Sequence, residues 1–130
     1  MNEPRIAVWL NHAEAHVVQV EEEPLRKSLI RLPEHPRLHR REGSVSGARA
    51  ACERGFLDAV TAALQGAALI VIAGPGQAKR ELLEHLQRHA PGLAARVVEL
   101  QTCARVADQT LARQARARFT RHQARARLGL

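Results

Sequence analysis

Aromatic residues are nearly missing from this chain: Trp9, Phe56 and Phe119 are all it has, and there is no tyrosine. Leu, Val, Ile and Ala must therefore build the core, a composition suited to buried strands covered by alanine-rich helices. The same scarcity removes the stacking platforms on which single-stranded nucleic acid is read base by base. Cysteine is scarce as well. Cys52 and Cys103 stand far apart, match no zinc-ligand spacing and make no disulfide framework, which fits a reducing cytoplasm. No apolar run approaches the roughly 20 residues that a membrane span requires. The opening MNEPRIAVWLNHAEA lacks the basic start of a signal peptide. These absences predict a soluble cytoplasmic protein.

Acids are the third shortage. The chain has 20 Lys and Arg against 13 Asp and Glu, a net charge of +7 and a pI near 11.1. Such an excess predicts a polyanionic partner: RNA, DNA, the ribosome or a membrane surface. With 130 residues there is room for one domain and one core.

What is present has a clear order. Arg5 to Asn11 is apolar on both faces and predicts a central strand. HVVQVE (16–21) and LRKSLIRL (25–32) predict two more, separated by short polar breaks, as in an antiparallel meander. From Pro33 to Gly47 no period survives, which predicts a flexible basic loop. Cys52, Phe56, Ala59, Val60, Ala63 and Leu64 then recur at helical spacing, and Gly66 stops the helix. ALIVIAG (68–74) is the most apolar strand. Leu82, Leu83 and Leu86 mark a second helix, LAARVVELQ (93–101) a last strand, and Ala107, Leu111, Ala115 and Phe119 a last helix. A basic tail is expected from residue 120 to 130.

Three strands followed by αβαβα is the order of the ribonuclease-H-like α/β architecture, a mixed sheet read as β-β-β-α-β-α-β-α. There the first strand is central and runs parallel to the fourth, in keeping with the two-sided apolarity of both. A doubly wound Rossmann sheet would need a crossover helix among the first three strands, and no segment is long enough.

The stretch Gly74-Pro75-Gly76-Gln77-Ala78-Lys79 invites a phosphate-loop reading. Counting from Gly74, a P-loop requires glycine where Lys79 stands and lysine where Arg80 stands, and a dinucleotide fingerprint requires its third glycine at Lys79. Both patterns fail. An anion at the opening of the next helix, near Gly76, Lys79 and Arg80, remains an expectation, against a plain strand-to-helix turn.

LIVIAGPGQAKRELLEHL resembles the strand, glycine-rich turn and helix of the middle domain of the archaeal and eukaryotic peptide-chain release factor and its paralogue Pelota. It is also similar to small bacterial relatives described as translational machinery proteins. IAVWLNHAEAHVVQV resembles their opening hairpin, and the resemblance runs from about Ile6 to Phe119. It implies a ribonuclease-H-like fold and a place in translation. Release factors hydrolyse peptidyl-tRNA with a Gly-Gly-Gln motif in the loop between the third strand and the first helix. Here that loop, PEHPRLHRREGSVSGARA, contains Gly43 and Gly47 but no Gln, and Gly76-Gln77 belongs to a different turn. The departure points away from peptide release and toward Pelota-like ribosome binding.

Other chemistries fare less well. Metal-dependent nucleases of this architecture need acids on the first and fourth strands. Here the first ends in Asn11, with Glu14 in the turn, and the fourth ends in Ala73-Gly74. His12, Glu14 and His16 do not form a zincin pattern and are expected to diverge in a tight hairpin. His85 and His89, with Glu81, are expected on a solvated helix face. No metal and no cofactor is expected.

The arginines remain. Arg37, Arg40, Arg41 and Arg49 in or beside the loop, and Arg113, Arg116 and Arg121 in the last helix, are the expected contacts to ribosomal or transfer RNA. Arginine's planar fork bonds two phosphate oxygens at once. The reading is a non-catalytic, ribosome- or tRNA-associated RNA-binding protein with no membrane partner. Two alternatives stand beside it. One is a peptidyl-tRNA ester hydrolase using His35 or His39 in place of Gln; the other is a module whose basic surface binds an acidic protein.

Overall fold

The computed structural model describes residues 4–32 and 42–129, with side chains from residue 51 onward in the second stretch. Five strands form one sheet in the order β3-β2-β1-β4-β5. They are β1 (Arg5–Leu10), β2 (Glu14–Gln19), β3 (Arg26–Arg31), β4 (Leu69–Gly74) and β5 (Val97–Thr102). The helices are α1 (Glu42–Ala63), α2 (Ala78–His89), the single turn α3 (Pro91–Ala94) and α4 (Asp108–Arg127).

β1 and β4 are the two strands that read as apolar on both faces, and each is buried beyond its first residue. They pair in parallel at the sheet centre, Val8 beside Ile72, while β1 pairs antiparallel with β2 and β2 with β3. β5 extends the parallel side beyond β4. Alternation along β1 feeds two cores. Ile6, Val8 and Leu10 face Phe56, Val60, Leu64, Leu82 and Leu86 beneath α1 and α2. Ala7 and Trp9 face Leu111, Ala112, Ala115 and Phe119 of α4. This is the expected mixed sheet with its expected central pair.

Several boundaries differ from the sequence reading. β2 begins at Glu14, two residues early, because the hairpin closes tightly: Asn11 Oδ1 accepts the backbone N–H groups of Ala13 and Glu14 at 2.8 and 2.9 Å. α1 begins at Glu42, inside the span expected to be a loop as far as Gly47; residues 33–41 lie outside the described residues. Phe56 and Val60 of α1, and Leu64 just after it, are buried as expected, but Ala59 is exposed. Gly66 follows the helix at φ 83°, a left-handed conformation that glycine adopts without strain. Leu93 and Ala94 belong to α3 rather than to the last strand, since Pro91 favours a helical first turn.

The expected tail is helical as far as Arg127. Alanine and arginine are strong helix formers, and no glycine or proline intervenes before Gly129, whose φ is 76°.

Candidate nucleic-acid interface

α4 presents two kinds of arginine, sorted by the angle at which each leaves the helix. Leu111, Ala112, Ala115 and Phe119 occupy the buried face. Arg116 and Arg118 leave along its two flanks and are held by the sheet. Arg116 donates to the carbonyl oxygen of Val20 at the end of β2, and Arg118 donates to Glu99 on β5. Arg113, Arg121, Arg125 and Arg127 point outward and are exposed. Ala117, Thr120 and Ala124 stand between them, so nothing bulky interrupts the ridge. At 1.5 Å per residue, Arg113 and Arg127 are about 21 Å apart along the axis. The chain has no acid after Asp108 to offset them.

The ridge is fixed to the sheet near its lower end by Arg5. That guanidinium donates to Glu21 at 2.7 and 3.0 Å, donates to Gln123 at 3.1 Å and lies 5.4 Å over the ring of Phe119. Gln123 is therefore within reach of the first residue of β1.

The upper end of α4 carries a polar cluster instead. Arg105 donates to Asp108 at 2.8 Å, lies 5.6 Å over Trp9 and has a 3.1 Å contact with His16 Nδ1. His16 Nε2 is 2.6 Å from Glu14, and Lys27 is 3.4 Å from Asp108. Of the three residues in HAEAH, Glu14 and His16 meet, whereas His12 turns to Glu81 at 3.2 Å. Among the described residues no group of three metal-ligating side chains converges.

The Gly74–Gln77 turn joins β4 to α2. Gln77 occupies the N-cap position without a side-chain hydrogen bond. Lys79 is buried, and its ammonium donates to the carbonyl oxygen of Gly76 at 2.6 Å. Its charge is directed into the turn, and Arg80 is the exposed cation there.

His85 departs from the solvated face expected of it. It is 7% exposed, with Nε2 2.8 Å from Asp58 of α1 and its ring 4.6 Å from that of His89. Its position borders the Leu82–Leu86 stripe, so the seam between α1 and α2 covers it. A cavity of about 430 Å³ lies at the lower end, lined in part by Gly66, His89, Leu93 and Arg96. There Arg96 donates to the Ala67 carbonyl at 2.7 Å.

The expected RNA contacts are thus spread out. Arg113 and Arg121 are on the outward ridge, while Arg116 is half-buried on its flank. Arg37, Arg40 and Arg41 lie outside the described residues; Arg49 lies in the α1 backbone, but its side chain does not belong to the described set. Leu32, the last described residue of the first stretch, donates its N–H to Ala13 at 2.8 Å, at the sheet end opposite Arg5 and Gln123. Arg125 and Arg127 belong to the basic tail expected from residue 120 to 130, not to the expected RNA contacts. Their signal is present in the sequence, since an uninterrupted Ala-Arg pattern keeps the helix going to Arg127.

No protein-family model and no curated protein matches the sequence. Solved structures do match. Pelota from Archaeoglobus fulgidus matches with a TM-score of 0.61 at 16% identity, over 90% of this chain and 32% of its own. An archaeal translation termination factor matches with a TM-score of 0.54 at 15% identity, over 98% of this chain and 42% of its own. The chain therefore spans 32 to 42% of the length of these two proteins. Their common architecture with it is the one implied by the strand, turn and helix around Gly74, and the chain has the Pelota and release-factor middle-domain fold.

Proposed function

We propose that this chain is a non-catalytic RNA-binding protein of translation that engages ribosomal or transfer RNA in the cytoplasm. The observation that carries the reading is the outward ridge of α4: Arg113, Arg121, Arg125 and Arg127, all exposed, on a helix without an acid beyond its first residue. A cationic row of this length follows a phosphate backbone by charge, and its arginines bond phosphate oxygens without reading bases. The fold shared with Pelota and the termination factor supports a setting in translation. Arg37, Arg40, Arg41 and Arg49 form the second proposed contact.

Binding without ester hydrolysis is the proposed mode, because PEHPRLHRREGSVSGARA supplies no Gln where release factors carry theirs. In this reading Arg116 and Arg118 position the helix rather than touch RNA. Sucrose-gradient sedimentation with purified ribosomes tests it. The wild-type chain should travel with the ribosomal peak at low salt. A variant with Arg113, Arg121 and Arg125 each changed to Gln should remain near the top while keeping its unfolding temperature. Co-sedimentation unchanged by that triple substitution overturns the assignment to α4.

A further inference from the structure

The edge strand β3 combines three properties. Among the described residues it has a neighbouring strand on one side only, β2. Of its two large apolar side chains, Ile30 packs against the core and Leu29 is 48% exposed. Its flanking residues on the same face are Lys27 and Arg31, both exposed.

The backbone register determines which groups face outward. Leu32 donates its N–H to Ala13, and the pairs continue as Ile30 with Ala15 and Ser28 with Val17. Backbone direction alternates along an antiparallel strand, so even-numbered residues here bond to β2. Lys27, Leu29 and Arg31 turn their N–H and C=O groups to the open edge. Their side chains all lie on the α4 side of the sheet, because Leu29 pairs with His16 and His16 with Trp9. Open backbone groups and a basic–apolar–basic row therefore coincide at the same three residues.

We propose that β3 accepts an extended acidic segment of a partner protein as a sixth strand, recognised by an acid–apolar–acid pattern at alternate positions. The segment's backbone would pair with Lys27, Leu29 and Arg31. Its central apolar side chain would cover Leu29, and its two acids, each about 7 Å away along the strand, would meet Lys27 and Arg31. Charge selects this occupant over a second copy of the chain. Antiparallel β3–β3 pairing centred on Leu29 would set Lys27 opposite Arg31 twice, and like charges opposed across a ladder are destabilising. It also selects against RNA, which has no strand backbone to satisfy the open edge.

The probe is a synthetic peptide containing Glu-Thr-Val-Thr-Glu, with Lys-Thr-Val-Thr-Lys as its control. Binding is followed by amide NMR and hydrogen exchange on the full chain. The acidic peptide should protect the amides of Lys27, Leu29 and Arg31 at least tenfold, and the lysine control should not. Leu29→Pro should abolish binding while leaving the unfolding midpoint near wild type, because the N–H it removes faces outward. Should that variant unfold, the pair Lys27→Gln and Arg31→Gln serves in its place and should weaken the peptide at least tenfold. Several results overturn the proposal: no protection at these amides, equal binding of the lysine control, binding that survives both sets of changes, or an oligouridine that reproduces the same protection.

Discussion

Gly74 lies so close to Leu10 that a β-carbon at residue 74 would stand 2.2 Å from the Leu10 carbonyl oxygen. That contact explains one glycine of the Gly-Pro-Gly turn without any ligand. β4 ends against the last residue of β1, and only a residue lacking a side chain fits between them. At Gly76 an added β-carbon would meet nothing within 4 Å, and its φ is not positive. Gly74→Ala should therefore cost about 3 kcal/mol, as overpacking against rigid backbone does. Gly76→Ala should change stability by less than about 0.5 kcal/mol. Thermal unfolding of the two variants checks the contrast. Equal effects would mean the turn is shaped by something other than this approach.

The His85–Asp58 contact ties α2 to α1 and gives a second prediction. His85 is buried while Asp58 is 61% exposed, so solvent screens the carboxylate and weakens its share. Asp58→Ala should cost no more than about 1 kcal/mol, whereas His85→Ala, which also removes packing, should cost about 2 kcal/mol. A double-mutant cycle in urea denaturation should return a coupling below about 1 kcal/mol. A coupling several times larger would show that the pair, and not the packing of the ring, holds the seam.

How far the sequence discloses these features depends on how local their causes are. The β1–β4 pair is legible because two-sided burial writes apolar residues at every position of β1 after Arg5 and along β4 from Leu69 to Ala73. Leu111, Ala115 and Phe119 are legible because one helix face writes them at four-residue steps. His85 is not, because its partner is 27 residues away on another helix and nothing near His85 signals a carboxylate. Lys79 reads as an exposed cation until the turn folds and its ammonium reaches back to Gly76. Arg113 and Arg116 look equivalent in the sequence, both lying off the apolar stripe. The carbonyl of Val20 separates them, and it is placed by where β2 ends. The start of α1 is hidden for a different reason: glycine and serine in EGSVSGARA are poor helix formers, so composition alone reads that stretch as loop.

That difference between arginines yields a third prediction. Arg116→Ala leaves the Val20 carbonyl without its donor on a half-buried flank, so stability should fall by about 1–2 kcal/mol. Arg121→Ala removes an exposed side chain and should stay within about 0.5 kcal/mol of wild type. RNA affinity should show the reverse order, with the larger loss at Arg121. Unfolding curves and RNA titrations on the same two proteins make the comparison. A larger affinity loss at Arg116 in a fully folded variant would transfer RNA contact to the flank.

Peptide release provides a fourth. Without Gln in the segment between β3 and the middle of α1, water has no amide to place it at the ester. The protein should release no peptide from peptidyl-tRNA on programmed ribosomes. Turnover above background that disappears on His35→Ala or His39→Ala would establish the hydrolase alternative.

The salt dependence of RNA binding separates a working arginine ridge from mere basic composition. Each phosphate neutralised releases counterions, giving a slope of log affinity against log salt of about −0.7 on single strands and about −0.9 on B-form duplex. If the outward residues Arg113, Arg121, Arg125 and Arg127 each engage one phosphate, α4 alone should contribute a slope of roughly −3 to −4. Arg37, Arg40, Arg41 and Arg49 should add a comparable amount if they follow the same strand. Replacing Arg121 or Arg125 with Gln should then flatten the slope by a little under one unit each, and the effects should add, since no carboxylate lies between them to couple their charges. Arg118→Gln should barely move it, because its partner is Glu99 and the pair has little net charge to offer. Fluorescence titrations of a structured RNA at several salt concentrations give every slope. Flattening at Arg121 and Arg125 but not at Arg118 would trace the affinity to one side of one helix. Equal flattening at all three would show that the chain binds RNA through its total charge, with no surface preferred.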